Sequence, residues 1–427
     1  MARPVFIVDG SRTPFLKARS GPGPFTPVDL AVQCGRPLLA RQPFAATTFD
    51  QVILGCVNVT ADEMNPARVA ALRLGMGEDM VAFTVQINCG SGMQSIDTGY
   101  RYIREGNANL ILAGGAEALS HAPLIWPQGG VRWFAGLATA KDLTTKTAAA
   151  LKVRPSYFKP IIGLERGLTD PITELNMGQT AEVAGHLFGI TRAQSDAYAA
   201  QSHRRLANAQ ALGWLEGEVE TAFSRDGKFF DHDDGVRPDS TPESLSRLNP
   251  VFERPWGQVT AGNSSQITDG ASWVILASDE AVAEHGLTPR AVIVDSHWAA
   301  LDPGIMGLGP VMSATPLLAR NNLTIKDVET WELNEAFATQ VLGCLAAWND
   351  DKFCREILGL EGAAGEIERE RLNIDGGAIS LGHPVGASGN RIVLHLVNAM
   401  KRLGTRFGVA TECIGGGLGG AMLIEAV

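Results

Sequence analysis

Long apolar runs are missing from this chain: nothing in its 427 residues approaches the roughly 20 consecutive apolar positions that span a bilayer. No integral membrane segment is therefore expected. Like-charge runs are missing too. No five consecutive residues share a sign, and 36 basic against 46 acidic residues leave a net charge of −10. That balance argues against nucleic acid or an anionic membrane as the main partner. An anionic small ligand would need a local cationic patch, for which Arg204, Arg205, Lys228, Arg237, Arg247 and Arg254 are candidates, although the same residues also read as a solvated basic face. Six cysteines, at 34, 56, 89, 344, 354 and 413, show neither CxxC nor CxxxC spacing, so neither a metal site nor a disulfide framework is expected. Met1-Ala2-Arg3-Pro4-Val5 carries no charged leader followed by an apolar stretch, which predicts a cytoplasmic protein.

What is present is glycine, 48 residues of it, and a hydrophobic content of 45%, as in α/β proteins with many tight turns. The chain also repeats itself. Val5-Phe6-Ile7-Val8-Asp9 reads as a short buried strand and is matched by Ala291-Val292-Ile293-Val294-Asp295; Asp50–Gly55 is echoed by Asp327–Glu332. Val81–Ile87 predicts a strand leading through Cys89 into a helix that Gly106 stops. In the second half a glycine-rich stretch around His383 leads into a helix from about Ala387 to Arg402, apolar on more than one side and hence buried. Strands follow at Leu110–Ala113 and Phe407–Ala410. This order implies a duplicated α/β core with mainly parallel sheets, unless both halves merely share common α/β grammar. Residues 120–255 do not fit the repeat and, with Pro123, Pro127, Pro155, Pro160 and Pro171 and a polar stretch at 224–247, read as a loop-rich insert that still holds one helix, Thr191–Leu212.

Three residues carry the chemistry. Cys89, in Asn88-Cys89-Gly90-Ser91-Gly92, sits at a strand-to-helix junction, where the helix N-terminus is expected to lower its pKa toward a thiolate. A small structural cysteine in a tight turn remains an alternative. His383, in Gly382-His383-Pro384-Val385-Gly386, has the ordinary basicity needed to take a thiol proton, though the stretch also fits a phosphate turn or a helix entry. The other seven histidines are expected at the surface or in loops. Cys413 is expected just after its strand and before Gly415-Gly416-Gly417, whose amides suit an oxyanion. Asn334 offers an amide to a water or an oxyanion, and Glu335 beside it is placed to orient His383.

Together, Cys89-Gly90-Ser91-Gly92, Asn334-Glu335-Ala336-Phe337, Gly382-His383-Pro384 with Gly386 and Gly389, and Cys413-Ile414-Gly415-Gly416-Gly417 resemble the four catalytic blocks of the thiolase family. Met177–Glu182, Ala261–Ser265, Thr268–Ala271 and Met306–Pro310 extend the likeness over nearly the whole chain. The resemblance implies a five-layered αβαβα fold and cleavage of a 3-oxoacyl-CoA by CoA into acetyl-CoA and a shortened acyl-CoA. It implies residues 1–120 as one half, completed by about 256–288, residues 121–255 as a subdomain for CoA and substrate, and 289–427 as the second half.

The same likeness assigns roles. Cys89 would carry the acyl group, His383 would activate it and donate to an oxyanion, and Asn334 would hold the water completing that hole. Cys413 would serve the acetyl carbon, with the amides of Cys89 and Gly415 as the second hole. Arg237 and Leu248 would contact the adenine of CoA and Ser265 its pantetheine, with Ala261, Met177, Met306 and Phe337 around the substrate. Coenzyme A is then a co-substrate and no permanently bound cofactor is expected. A homodimer or dimer of dimers is implied.

The chain departs from the family at Gln86, where Asn is common, at Leu418, where Gln is common, and at Asn176, where acetoacetyl-specific members tend to carry His. The stretch Trp348–Arg371 resembles the β-subunits of fatty-acid-oxidation complexes, which suggests degradation and an α-subunit partner. The alternatives are a biosynthetic acetoacetyl-CoA-forming acetyltransferase and, from another class, a non-catalytic lipid-carrier or scaffold protein.

Overall fold

The computed structural model describes residues 3–427. In the first half β1 (Val5–Arg12) is followed by α1 (Pro27–Ala40), β2 (Gln51–Gly55), α2 (Pro66–Arg73), β3 (Val81–Val85), α3 (Ser91–Arg104) and β4 (Leu110–Ala118), and β5 (Thr268–Ser278) completes it. The second half runs β6 (Ala291–Ala300), α4 (Gly309–Arg320), β7 (Thr330–Leu333), α5 (Ala338–Asn349), α6 (Val385–Leu403), β8 (Phe407–Ile414) and β9 (Leu418–Ala426).

The strands lie in the order β7-β8-β9-β6-β1-β5-β4-β2-β3, with Leu16–Lys17 added on β5. The middle of this sheet is thin: β1 meets β6 only through Phe6↔Val292 and Ile7↔Ala291, so two half-sheets are joined edge to edge. They are also related in plan. In the first half β5, β4, β2 and β3 succeed one another from β1; in the second, β9, β8 and β7 succeed one another from β6, and a lone parallel bridge, Trp331↔Leu372, stands where β3 would be.

The expectation of mainly parallel sheets is corrected. Only β2–β3, β2–β4 and β7–β8 are parallel. The pairs β1–β5, β5–β4, β6–β9, β8–β9 and β1–β6 are antiparallel. Parallel pairing needs a crossover, and the chain supplies one where α2 or α3 intervenes. β5 and β9 instead return without one. Strands buried on both faces read as continuous apolar runs whatever their direction, so sequence pattern does not report it.

Side chains of one strand alternate between two cores. In β5, Trp273, Ile275 and Ala277 face the core under α1 and α2, whereas Val274 and Leu276 face a central core with Ile96 of α3 and Ile392 of α6. In β9, Met422 and Ile424 enter that central core while Ala421 and Leu423 face α4 and α5. This period of two yields five layers, helices–sheet–helices–sheet–helices. The central layer is α3 against α6, and their contact is close: a Cβ on Gly92 would stand 2.7 Å from Asn390 N and 2.9 Å from Gly386 O. α6 is buried on nearly every side, as its apolar pattern predicts.

The segment after β4 is more regular than its prolines suggest. It holds helices Gln128–Thr139, Leu143–Ala150, Met177–Leu187 and Arg192–Ala211 and two short strand pairs. No helix is long and apolar enough to cross a membrane among the described residues.

Candidate active site

The equivalent loops of the two halves, after β3 and after the Leu372 bridge, carry Cys89 and His383. Asn88 adopts φ 48°, a left-handed conformation that Asn tolerates, and this turn aims the next side chain inward. Ser91 locks the turn: Ile87 N donates to its Oγ at 2.9 Å and the hydroxyl donates to Asn88 O at 2.7 Å. Asn88 Nδ2 then donates to Gly415 O at 2.8 Å, which ties the cysteine loop to the glycine-rich block at the far end of the chain.

Cys89 is half-buried, and its thiol is pushed up to about 12. Burial is the main cause and Glu412 adds to it, against the amides of Gly415 and Cys89, which favour the anion. This overturns the expected lowering. A helix N-terminus contributes only fractions of a charge, and removal from water outweighs it. Cys89 is a thiol at neutral pH and needs a base.

His383 is held in a way that suits a base. Gly382 precedes it at φ 110°, and a Cβ there would strike Thr268, so only glycine fits. His383 N donates to Gln266 O at 3.0 Å, and the ring Nδ1 lies 2.6 Å from Ser388 Oγ. Ser388 Oγ itself donates to Pro384 O at 3.2 Å, so it accepts from Nδ1–H and leaves Nε2 as a lone-pair acceptor. Nε2 has no protein partner. Burial and then Arg391 push the imidazole down to about 4, so it is neutral.

Glu335 does not orient it. The Glu335 carboxylate accepts from Tyr198 Oη at 2.8 Å, Ser202 Oγ at 2.7 Å, Asn373 Nδ2 at 3.0 Å and Ile379 N at 3.3 Å. It fixes the loop, and the orienting group is Ser388. A hydroxyl five residues after a histidine at a helix start is the sequence signal for it.

Cys413 lies within β8, which runs to Ile414 rather than ending at Ala410. It is buried with Met306 and Ala336, with Met177 and Phe337 packed on them, and its thiol is raised by burial first and by Cys89 next. Asn334 is fully buried, and neither its Oδ1 nor its Nδ2 has a protein partner.

One cavity of about 730 Å³ brings the predicted residues together. Cys89, His383, Cys413 and Gly415 line it, and so do Met177, Ala261, Ser265, Met306 and Phe337. Asn334, Arg237 and Leu248 are not in its wall. Several cationic candidates are already engaged: Arg205 donates to the carbonyls of Leu372, Asn373 and Arg369, Lys228 pairs with Asp226, and Arg254 donates to Pro250 O.

The expectation that the remaining histidines sit at the surface also fails. His203 and His395 are buried. His395 lies 2.8 Å from Glu218 and 3.1 Å from Asp375 and is raised to about 10, burial being opposed and overcome by these carboxylates. Elsewhere Glu182, His186 and Glu253 bring ligand-type atoms within 4.8 Å of one another. Glu182 there already accepts from Gln258 N and Val259 N, and His186 pairs with Glu253.

Family models for the thiolase N-terminal domain and the thiolase C-terminal domain match residues 5–280 and 287–426. The chain belongs to the thiolase family. It is 38% identical to the β-ketoadipyl-CoA thiolase of Pseudomonas aeruginosa, across 100% of both chains. It is 36% identical to the mitochondrial 3-ketoacyl-CoA thiolase of Bos taurus, across 100% of this chain and 99% of the relative. The crystal structure of human mitochondrial 3-ketoacyl-CoA thiolase in complex with CoA superposes on this thiolase with a TM-score of 0.84 at 34% identity, covering 100% of this chain and 98% of that one.

Proposed function

We propose that this thiolase cleaves 3-oxoacyl-CoAs with uncharged, apolar acyl chains, in the degradative direction of fatty-acid oxidation. The observation that carries the chemistry is the neutral His383 with an unpartnered Nε2 in one cavity with two thiols. Nε2 takes the Cys89 proton and the thiolate attacks C3 of the substrate. His383, now Nε2–H, and a water held by Asn334 stabilise the oxyanion. Collapse breaks the Cα–Cβ bond and leaves acyl-Cys89 and the enolate of acetyl-CoA, its oxygen facing the amides of Cys89 and Gly415. Cys413 protonates the enolate carbon and becomes a thiolate. That thiolate takes the proton of incoming CoA, whose sulfur attacks acyl-Cys89, and the released Cys89 thiolate recovers its proton from His383. Loss of one oxyanion donor typically costs about 3–4 kcal/mol.

The cavity wall supports the acyl assignment. Val57, Leu119, Ile125, Leu164 and Leu168 line it, and among the described residues it contains no Lys or Arg. Its one carboxylate, Asp170, is held ionised by the amides of Thr173 and Ile172. A substrate with a terminal carboxylate, such as the one named for the Pseudomonas relative, would meet a like charge and no counter-ion. Asn176 lines the cavity where acetoacetyl-specific members tend to carry His, which supports a substrate larger than acetoacetyl-CoA.

The segment 121–255 would serve CoA and substrate, with Arg237 and Leu248 toward the adenine. A homodimer is supported by the edge strand β3, whose Val81 is exposed. A cytoplasmic location and an α-subunit partner complete the reading. The test is CoA-dependent release of acetyl-CoA across a series from acetoacetyl-CoA to medium-chain 3-oxoacyl-CoAs, with 3-oxoadipyl-CoA alongside and mass spectrometry of Cys89. Each buried CH₂ is worth about 0.8 kcal/mol, so kcat/KM rises nearly fourfold per carbon until the tail leaves the cavity. Acetoacetyl-CoA or 3-oxoadipyl-CoA as the best substrate would refute the acyl assignment.

A further inference from the structure

Helix α6 begins without a cap of its own. Its N-cap residue is Pro384, which has no side-chain oxygen, so the first amides of the helix need an acceptor from elsewhere. Gly386 N finds one in the other half of the molecule and donates to Glu117 Oε2 at 3.0 Å. Glu117 stands near the end of β4 and is fully buried. The approach needs glycine: a Cβ on Gly386 would lie 2.8 Å from Ala116 O and 2.9 Å from Glu117 Oε2. The same carboxylate holds the turn after β2. Its Oε2 also accepts Val57 N at 3.1 Å, and its Oε1 accepts Asn58 N at 2.9 Å.

These bonds join two parts of the site. Val57 and Asn58 line the cavity, and so do His383 and Val385 at the head of α6, whereas Glu117 lies outside its wall. All three partners of Glu117 are donors, which an acceptor-only carboxylate satisfies in full. A glutamine could keep one oxygen on Val57 N and Gly386 N but would turn its own N–H groups toward Asn58 N. Burial raises the carboxyl to about 7, opposed by the amides of Asn58, Val57 and Gly386, and among the described residues no cation pairs with it. A buried carboxylate without a counter-ion is costly to keep. One bonded only to the backbones of two separate cavity-lining segments is built to hold those segments.

We infer that Glu117 is a positioning residue for the thiolase reaction, fixing the His383 end of α6 and the Val57–Asn58 wall of the cavity relative to each other. This rests on the thiolase reading and adds a residue that no motif singled out. The two arms of the clamp act on different quantities. The arm to Gly386 sets where the imidazole meets the Cys89 thiol, so its loss acts on kcat. The arm to Asn58 sets the wall on which an acyl chain packs, so its loss acts on the gain in kcat/KM for each added carbon.

The test compares the wild type with Glu117→Gln and Glu117→Ala at about pH 8, above the raised value of the carboxyl, and at a temperature below every melting transition. Substrates run from acetoacetyl-CoA to medium-chain 3-oxoacyl-CoAs. The Ala variant frees both arms. Its kcat should fall about tenfold to a hundredfold on every substrate, as expected when a reacting group moves by about 1 Å. The Gln variant frees the Asn58 arm alone. Its kcat on acetoacetyl-CoA should stay within about twofold of the wild type, while the gain in kcat/KM per carbon drops from nearly fourfold to about twofold. A Gln variant that keeps the full gain per carbon overturns the clamp, and this arm decides if the Ala variant does not fold. A lowered melting temperature with both quantities unchanged also overturns it, because that is what a merely structural residue would give. Hydrogen exchange read by mass spectrometry tests the clamp without turnover. Residues 55–60 and 384–390 should exchange faster together in the Ala variant, and 55–60 alone in the Gln variant. That exchange pattern in a protein whose wild type never cleaves a 3-oxoacyl-CoA would sink the thiolase reading and leave the clamp standing.

Discussion

The ring Nδ1 of His383 lies 2.6 Å from the hydroxyl of Ser388, and this contact decides which face of the imidazole can act. With Nδ1–H spent on Ser388, the lone pair of Nε2 points into the cavity. Ser388→Ala leaves the ring free to turn over and its donor without a buried partner, a loss of about 1–2 kcal/mol. The expected result is a fall in kcat of about tenfold with KM for CoA unchanged, and recovery in Ser388→Thr, which keeps the hydroxyl. Loss of both activity and melting temperature in the Thr variant would assign Ser388 a packing role instead.

A thiol at about 12 in one cavity with an imidazole at about 4 predicts a particular pH dependence. His383 is deprotonated above about 4, so the acid limb of kcat/KM falls near there and not near 6.5. In the absence of substrate, alkylation of Cys89 by iodoacetamide continues to accelerate through pH 9 and 10, because the thiolate fraction is still growing. A plateau below pH 8 would mean that the helix N-terminus does activate the thiolate at rest.

How much of this was legible in the sequence depends on whether a property is local. The turn at Asn88-Cys89-Gly90 and the caps of α3 and α6 follow from glycines and side-chain spacing, which neighbours along the chain dictate. The repeat was legible because both halves reuse the same strand and helix order. Strand direction was not, since Val274 and Met422 are buried whichever way their strands run. The Cys89 pKa failed for a related reason: a helix start is written in the sequence, but burial beside Glu412 is a tertiary fact. Glu335 looked like the partner of His383 because it adjoins Asn334, yet Tyr198, Ser202 and Asn373, remote in sequence, claim it. His395 reads as an ordinary helical histidine until Glu218 and Asp375 are brought to it.

In the proposed mechanism the two thiols divide the half-reactions, and substitutions should separate them. Cys89→Ser replaces the acyl carrier with a hydroxyl that His383 activates poorly, and turnover should fall below a few per cent. Cys413→Ala removes the proton donor for carbon while thiolate attack survives. Near-complete loss of thiolysis is expected, with slow acylation of Cys89 by a simple acyl-CoA still visible in the mass spectrum. Equal loss of acylation and thiolysis would show that Cys413 also holds the nucleophile in place.

Glu412 supplies a stability prediction. It is fully buried beside Gly389, and neither carboxyl oxygen has a protein partner. Arg391 is the cation that opposes its burial, but Arg391 Nη1 is committed to Glu332 at 2.8 Å. Burial therefore raises the Glu412 pKa well above its ordinary value. In the unfolded chain a Glu titrates near about 4.3, so above that pH folding must take up a proton. The contribution of Glu412 is thus fully present below about 4.3 and is lost progressively as pH rises toward its raised native value. Glu412→Met keeps the length, removes the proton uptake and places a thioether against Met93. At pH 7 it should stabilise the protein by about 1–3 kcal/mol, the cost of an unpartnered buried polar group. The stability difference between variant and wild type should shrink from pH 6.5 to pH 4.5, a window in which the imidazolium of His395, raised to about 10, stays charged in the native state. Urea titrations of both proteins across that window measure it. A Met variant that is less stable at pH 7, or a difference that does not change with pH, would show that Glu412 is ionised and bonded in the native protein.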